Sequence, residues 1–363
     1  MYPWIVFRED LVSPTRVAVI GCGHIATSQH LPAYREAADA GVCTLVGVCD
    51  PDTERLARAS GQFGVAGFRH AEAMLEKAKP DVVSIATLPS NHRDLTVMCL
   101  EAGCHVLCEK PVAMDAGEAR DMVHAAEKNN RLLSICFEYR TWDESRYLRD
   151  RLAEGALGHV YAVRTWGGCA YGRPAIAYSS PGSCGGGVLA HWTIHNLDLA
   201  LWLLGNPEPL TASAFRHQRA FDCPPPAGLQ AGEVDPMPLD PDFEDFGAGF
   251  IRLTGDTILA VEGNFYQGPS DRNEGWAFLG DRGNASVSPL GIWTDNGRSW
   301  REESPALKPC DYDMRQLINE FLGAVRQGEA SPVSGTEIVR IQRLMDALYA
   351  SASSGREVAV AGA

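Results

Sequence analysis

At 363 residues the chain is long for a single hydrophobic core, and two domains are the better expectation. Its 45% hydrophobic and 21% charged content is that of an ordinary globular protein. The net charge of −14 argues against nucleic acid and anionic membrane as partners, since both need a basic face, but not against a small anion met by a local Arg or Lys.

Residues 1–14 read as an N-terminal extension without the basic start and apolar run of a signal peptide. Eleven cysteines, odd in number and without a C-x-x-C pair, read as reduced thiols of a cytoplasmic protein. Val17–Ile20 is a short apolar run ending at glycine, as suits a strand buried on both faces of a parallel sheet. Gly21, Gly23 and Ala26 then give the spacing G-x-G-x-x-A. There the first glycine permits a tight turn, the second admits a pyrophosphate, and the small third residue lets a helix pack close. That helix, from about Ile25 to Ala40, aims free N–H groups at the phosphates, so Gly21, Gly23, His24 and Ile25 are candidate cofactor contacts. A second apolar strand, Leu45–Asp50, ends in an acid 24 residues after Ala26, where a carboxylate would meet an adenosine ribose. No basic residue adjoins Asp50 to receive a 2′-phosphate, which predicts NAD rather than NADP.

Helix-like stretches at 52–63, 71–78, 93–102 and 116–129 alternate with strands at 81–87, 105–108 and 131–137. This alternation predicts right-handed crossovers and a parallel, doubly wound α/β sheet over residues 15–138. Beyond Glu138 the pattern changes. A helix at 144–153 leads to strands at 158–166, 210–215, 247–253, 257–265 and 276–279, with a hairpin turn at Thr254–Thr257. Residues 139–363 therefore read as a second, α+β domain with a large, mostly antiparallel open sheet. The stretch 223–241 is proline-rich and reads as a long loop, either a lid or a disordered excursion. Two amphipathic helices finish the chain, one started by Asp311 and one by the capping box Ser334–Glu337.

Ligands of such sheets bind at the carboxyl edge. Three segments end there: Ala86-Thr87-Leu-Pro89-Ser-Asn-His92, then Cys108-Glu109-Lys110-Pro111, then Glu138-Tyr-Arg140. The first and second supply cofactor contacts at Ala86, Thr87, Pro89, His92, Glu109 and Lys110, and Pro111 restricts the backbone that aims Lys110. On the apolar helix 188–204, which is too polar for a membrane span, His191, His195, Asp198 and Trp202 recur along one face. Three readings of that stripe compete: buried hydrogen-bonded histidines, a metal site, or acid–base groups. No third metal ligand follows from spacing, and no metal is expected. Arg140, Trp166 and Asp198 are candidates for substrate contact.

Taken together, G-x-G-x-x-A, the acid Asp50, Ala-Thr-x-Pro-x-x-His, Glu-Lys-Pro and the Gly-Gly-Gly segment before the histidine helix resemble one family. It is the glucose–fructose oxidoreductase, inositol dehydrogenase and MocA group (Gfo/Idh/MocA), and the similarity runs from Thr15 almost to the end. The resemblance implies an NAD(P)-dependent Rossmann domain, a sugar or polyol substrate, and a homodimer or homotetramer assembled through the C-terminal sheet. It further implies that Lys110 contacts the reacting hydroxyl and nicotinamide and that His195 is the acid or base. One position departs: family members usually carry Asp four residues before that histidine, and here His191 stands there.

The expected reaction is hydride transfer from a secondary hydroxyl to nicotinamide, with His195 removing the proton and Lys110 steadying the oxyanion. His191, read as a group that titrates near neutral pH, motivates an alternative: an NAD-dependent glycoside hydrolase that transiently oxidises the sugar, eliminates, and re-reduces. A non-enzymatic nucleotide sensor is the other alternative, though it would need neither Lys110 nor His195.

Overall fold

The computed structural model describes residues 13–168, 181–218, 243–265, 274–295, 297–303, 305–308 and 313–362. The proline-rich stretch 223–241 lies outside these. In the first half, β1 (Thr15–Ile20), α1 (Leu31–Asp39), β2 (Cys43–Cys49), α2 (Thr53–Phe63), β3 (Gly67–Phe68), α3 (Ala71–Ala78) and β4 (Val82–Ile85) follow in order. They continue into α4 (His92–Glu101), β5 (His105–Cys108), α5 (Ala116–Asn129) and β6 (Leu133–Ile135). A wide π-helical turn, Ala26–His30, leads into α1. The strands pair in parallel in the order β3-β2-β1-β4-β5-β6. That order reverses between β1 and β4, which opens a crevice beyond their carboxyl ends. Val17, Ala18 and Val19 are fully buried, as an apolar run covered on both faces must be. Helix boundaries follow their caps: the Asp52 carboxylate accepts the Glu54 and Arg55 N–H groups to start α2, and Gly64 closes it in the left-handed region.

The second half comprises α6 (Asp143–Ala153), β7 (Val160–Gly168), α7 (Pro181–Cys184), α8 (Ile194–Leu203), β8 (Pro209–His217), β9 (Phe246–Leu253) and β10 (Thr257–Asn264). It goes on through β11 (Gly275–Gly280), β12 (Gly283–Val287), β13 (Gly291–Asp295), β14 (Trp300–Glu303), α9 (Met314–Gln327), α10 (Gly335–Ser354) and β15 (Val358–Ala359). Its nine strands form one sheet, β14-β13-β12-β11-β7-β10-β9-β8-β15, antiparallel except for the β7–β10 pair. The expected mostly antiparallel sheet is thus present and larger than the sequence pattern suggested. β12 to β15 are only two to five residues long, so their period-2 pattern is too brief to stand out.

Two boundaries differ from expectation. The cap of α9 is Asp313, whose carboxylate accepts the Arg315 N–H, rather than Asp311. And α9, although it lies late in the chain, belongs to the first sheet's core. Its Met314, Leu317, Ile318, Phe321 and Leu322 pack with Val17, Val19, Leu31 and Tyr34. By contrast α10 starts at the expected capping box of Ser334 and Glu337 and packs on the core that both sheets share. Among the described residues no helix is long and apolar enough to cross a membrane.

Candidate active site

Gly21 has φ +96°, and a Cβ there would stand 2.2 Å from the Ala86 carbonyl oxygen. Only glycine lets the ends of β1 and β4 come this close. Gly23 is the opposite case: a Cβ added to it would meet nothing within 4 Å, so open space lies over the loop where a pyrophosphate must approach the backbone. Exposed His24 and half-buried Ile25 begin the helical turn beside it. Asp50 is buried and braces the same loop, its Oδ2 accepting the Cys22 N–H (2.8 Å) and its Oδ1 the Asp52 N–H (2.8 Å). Oδ2 retains acceptor capacity for a ribose hydroxyl. The first turn of α2 also brings Arg55 to within 3.5 Å of Asp50, a cation that the neighbouring sequence positions did not reveal. Ala86, Thr87 and Pro89 follow β4 around the far side of the crevice.

His92 and Glu109 lie beneath this surface rather than on it. The His92 ring is fully buried, with Nδ1 2.8 Å from the Pro111 carbonyl and Nε2 3.2 Å from that of Thr87. Burial lowers its pKa, and the neutral ring, with a single N–H, donates to one of these carbonyls, the shorter contact being that with Pro111 in the loop after β5. Glu109 is held by His30 (2.8 Å) and accepts the Lys110 N–H (3.1 Å), while the other ring nitrogen of His30 meets Ser84 Oγ at 2.8 Å. Burial works against its charge, but His30 and Lys110 outweigh it and keep the carboxyl below the usual range. Ligand-type atoms of His30, Glu109 and Cys136 lie within 4.8 Å of one another, and hydrogen bonding accounts for this cluster. Both residues therefore correct the expectation of direct cofactor contact: they aim the loop that carries Lys110.

Lys110 leaves β5 and crosses to the second half of the molecule, where Nζ donates to the His191 carbonyl at 3.1 Å. That carbonyl belongs to a π-helical turn, Leu189–Thr193, which runs directly into α8. Gly187 admits the Glu244 backbone, whose carbonyl oxygen would stand 1.9 Å from a Cβ there. The Glu244 carboxylate then accepts the N–H groups of Gly187 and Leu189, both at 3.0 Å. This pins the start of the histidine helix. On its other side Asn196 donates to Thr165 Oγ1 (2.9 Å) and to the Trp166 carbonyl (3.1 Å), seating α8 on β7.

His191 and His195 both face this junction and both are buried. Desolvation, reinforced by Lys110, pushes His191 down to about 3 and His195 well below the ordinary histidine value. His191 is thus a neutral group at physiological pH, contrary to the expectation of a residue titrating there. The His195 ring stacks on Tyr139 at 4.9 Å, within a group of rings completed by Trp142 and Trp276. Its Nδ1 lies 3.4 Å from Glu138 Oε1. Burial raises Glu138 well above the carboxylate range, so the two face each other as uncharged groups rather than as an ion pair. A second carboxylate, Glu274, accepts from Tyr139 Oη (3.1 Å) and Trp192 Nε1 (3.0 Å), and burial raises it to about 7.

Three residues expected to touch substrate do not have that freedom. Arg140 is buried and grips Asp198 with two parallel bonds, Nε to Oδ2 at 2.8 Å and Nη2 to Oδ1 at 2.5 Å, while Nη1 reaches Glu337 at 2.8 Å. Arg140 and Asp198 are a structural clamp of α8 to α10. Beyond it lies a separate cavity of about 380 Å³, lined by Arg149, Trp202, Leu317 and Glu320 and by none of Lys110, His191 and His195. Trp166 is excluded by the pleat: Thr165 points to α8, so its neighbour points to the opposite face, where the ring covers Gly275. Glu138 and Glu274 were missed. Glu138 directly follows the last strand of the parallel sheet, a position that marks ligand contact by itself. Glu274 carries no such signal.

Comparison with known proteins agrees with this architecture. Residues 15–137 match the oxidoreductase family with an NAD-binding Rossmann fold, and residues 145–286 match the Gfo/Idh/MocA C-terminal domain. Over 353 residues the chain is 32% identical to D-glucoside 3-dehydrogenase of Escherichia coli K12, covering 95% of this chain and 97% of that one. It is 28% identical to D-apiose dehydrogenase of Paraburkholderia graminis, covering 94% and 88%. Levoglucosan dehydrogenase in complex with NADH superimposes with a TM-score of 0.82 at 20% identity, over 96% of this chain and 99% of that one. The fold and site thus define a two-domain, NAD-binding oxidoreductase. The chain belongs to the Gfo/Idh/MocA family.

Proposed function

We propose that this oxidoreductase is an NAD-dependent dehydrogenase of a secondary hydroxyl on a sugar or glycoside. The observation that carries the reading is the Lys110–His191 hydrogen bond, which sets a cation from the parallel sheet's carboxyl edge one helical turn from a neutral, buried His195. The names of the relatives, which act on a glucoside and on apiose, support a sugar as substrate. Open space at Gly23 and the carboxylate of Asp50 fit the dinucleotide, with Gly21, His24, Ile25, Ala86, Thr87 and Pro89 lining its path. Bound there, NAD supplies the hydride acceptor. Lys110 donates to the oxygen as negative charge develops on it, where a fixed cation in an enclosed site is most effective. His195, kept neutral by burial and by Lys110, has a lone pair to take the hydroxyl proton.

The glycosidase alternative was motivated by a His191 that titrates near neutral pH; burial and Lys110 hold that ring neutral just as they hold His195, so this motive falls away and nothing specific favours the alternative. For assembly, we propose a homodimer or homotetramer through the outer face of the nine-stranded sheet. Phe250 (64% exposed), Phe215 (50%) and Ile258 (43%) lie there in adjacent strands. The function is tested by offering a panel of free sugars and aryl glycosides with NAD, following NADH absorbance and aglycone release together. NADH formed in step with an oxidised, intact glycoside or sugar is expected. Aglycone release without matching NADH would overturn the reading.

A further inference from the structure

Hydride transfer from an alcohol leaves a proton behind, and this site is badly placed to hold one on histidine alone. His195 is 4% exposed, and an imidazolium there would stand near the Lys110 cation with His191, one turn earlier, bringing no negative charge. The carboxylate is supplied instead from the end of β6. Glu138 is 1% exposed, its Oε1 lies 3.4 Å from His195 Nδ1, and neither of these buried atoms has a hydrogen-bond partner elsewhere. Two orphaned polar atoms facing one another across that distance, in a region otherwise packed with rings, need a proton between them to be satisfied.

We propose that Glu138 is the positioning and charge-balancing partner of His195, the two side chains holding the substrate's proton as one unit. This rests on the dehydrogenase reading and deepens it. Burial alone favours the protonated acid, but with NAD bound the positive nicotinamide would favour the Glu138 carboxylate, which accepts Nδ1–H and leaves Nε2 with its lone pair toward the substrate. Bound NAD would accept the hydride as the substrate's C–H bond breaks; the O–H bond breaks toward Nε2 and the carbonyl forms. Nδ1 then yields its own proton to Glu138 Oε1. The carboxylate's negative charge is thus discharged together with the positive charge of the nicotinamide, and the net charge of the enclosed site stays constant. Run in reverse, the protonated acid and Nε2–H supply the proton for reduction. The groups facing the pair are Lys110 from the loop after β5, Glu109 beneath it, His191 on the same helical segment, and Glu274 with Tyr139 on the sheet side. Burial of Glu138 agrees with a carboxyl that takes up a proton readily.

The test compares wild type, Glu138→Gln and Glu138→Asp as full-length proteins, with isotope-labelled histidine for NMR. Glu138→Gln keeps the size and one acceptor but holds no exchangeable charge. It is expected to lower kcat by about 10²-fold with sugar KM within about threefold, and Glu138→Asp to recover about a tenth or more of the wild-type rate. The acid limb of its kcat/KM profile should move from the wild-type position. Independently of turnover, the His195 Nδ1 resonance should report a hydrogen-bonded nitrogen in wild type and lose that signature in Glu138→Gln. Retention of more than about a third of wild-type kcat with an unchanged pH profile would overturn the proposal. Should Glu138→Gln not fold, wild type itself decides: an Nδ1 resonance without the signature of a hydrogen-bonded nitrogen would equally overturn it. If wild type oxidises no sugar at all, the dehydrogenase reading fails, while the resonance still decides whether Glu138 and His195 are paired.

Discussion

Helix α8 carries two polar clusters one turn apart, and they are built on opposite principles. At Asp198 every charge is answered: Arg140 makes two bonds to it and a third to Glu337, which also accepts from Asn206 at 2.9 Å. At His195 the nearest carboxyl is 3.4 Å away, both groups are driven toward their neutral forms, and buried polar atoms lack hydrogen bonds. The first cluster joins elements that are distant in sequence. The second leaves His195 Nδ1 and Glu138 Oε1 with no hydrogen-bond partner but each other. A stripe of polar residues on one helix face is therefore not one site, and satisfaction of hydrogen bonds separates its structural half from its chemical half.

Removing one partner of the satisfied cluster should have the largest effect on stability. Asp198→Ala leaves the Arg140 guanidinium buried beside Glu337 alone, and a loss of about 3–5 kcal/mol in unfolding free energy is expected by urea titration. A loss below about 1 kcal/mol would mean the clamp is open in solution. The other cluster should respond in the opposite sense. Lys110→Ala and His195→Ala are each expected to lower turnover by ~10²-fold or more, with NAD affinity nearly unchanged and the unfolding midpoint close to wild type. If either retains more than about a tenth of the wild-type rate at saturating substrate, its assigned role is wrong.

A finer distinction comes from acid. An unfolded histidine takes up a proton below its ordinary value of 6.5, whereas folded His191 does so only at about 3. The stability that neutral His191 provides is therefore present above 6.5 and is lost as pH falls toward 3. Within that window it contributes a slope of about 1.4 kcal/mol per pH unit. Glu274 acts in the other direction between its ordinary 4.5 and about 7, where the folded state binds the extra proton. Comparing His191→Gln with wild type isolates the histidine, and the variant's unfolding free energy should fall less steeply between pH 6 and pH 4, read by about one proton's difference in slope. Parallel slopes would show that His191 is not held neutral by the fold.

The smallest effect concerns the cofactor loop, where Arg55 stands 3.5 Å from Asp50, the residue proposed to read the ribose. NAD should bind more tightly than NADP by calorimetry. Asp50→Ser, which leaves Arg55 in place, should shift the ratio toward NADP by about tenfold, or about 1.4 kcal/mol. An unchanged ratio would show that Asp50 does not read the ribose.

Much of the architecture was legible because it is written in local patterns. Val17–Ile20 and Gly21-x-Gly23 announce a buried parallel strand and its phosphate turn through residues adjacent in the chain. The alternation from Asp50 to Phe137 likewise needs only neighbouring helices and strands. The capping box of Ser334 and Glu337 is complete within four positions. The position of Lys110 after a parallel strand and of His195 on a buried apolar helix was also within reach.

What the sequence could not settle is which side chains meet. Arg140 and Asp198 are 58 positions apart and Arg140 and Glu337 are 197 apart, so a charge that reads as free for substrate is consumed by packing. Trp166 was decided by the two-residue period of β7 against α8, and α9 by the face of the first sheet it covers. The place of Glu138 at the end of the last parallel strand was legible, but nothing local shows that it is buried and shifted toward its protonated form. Its character comes from enclosure by Tyr139, Lys110 and α8, because a carboxyl's protonation depends on the dielectric and charges around it. Local sequence thus determined the elements and the chemical groups at their ends, through short-range backbone preferences and hydrophobic period. Tertiary structure alone decided burial and partnership, and with them which of those groups are free to act.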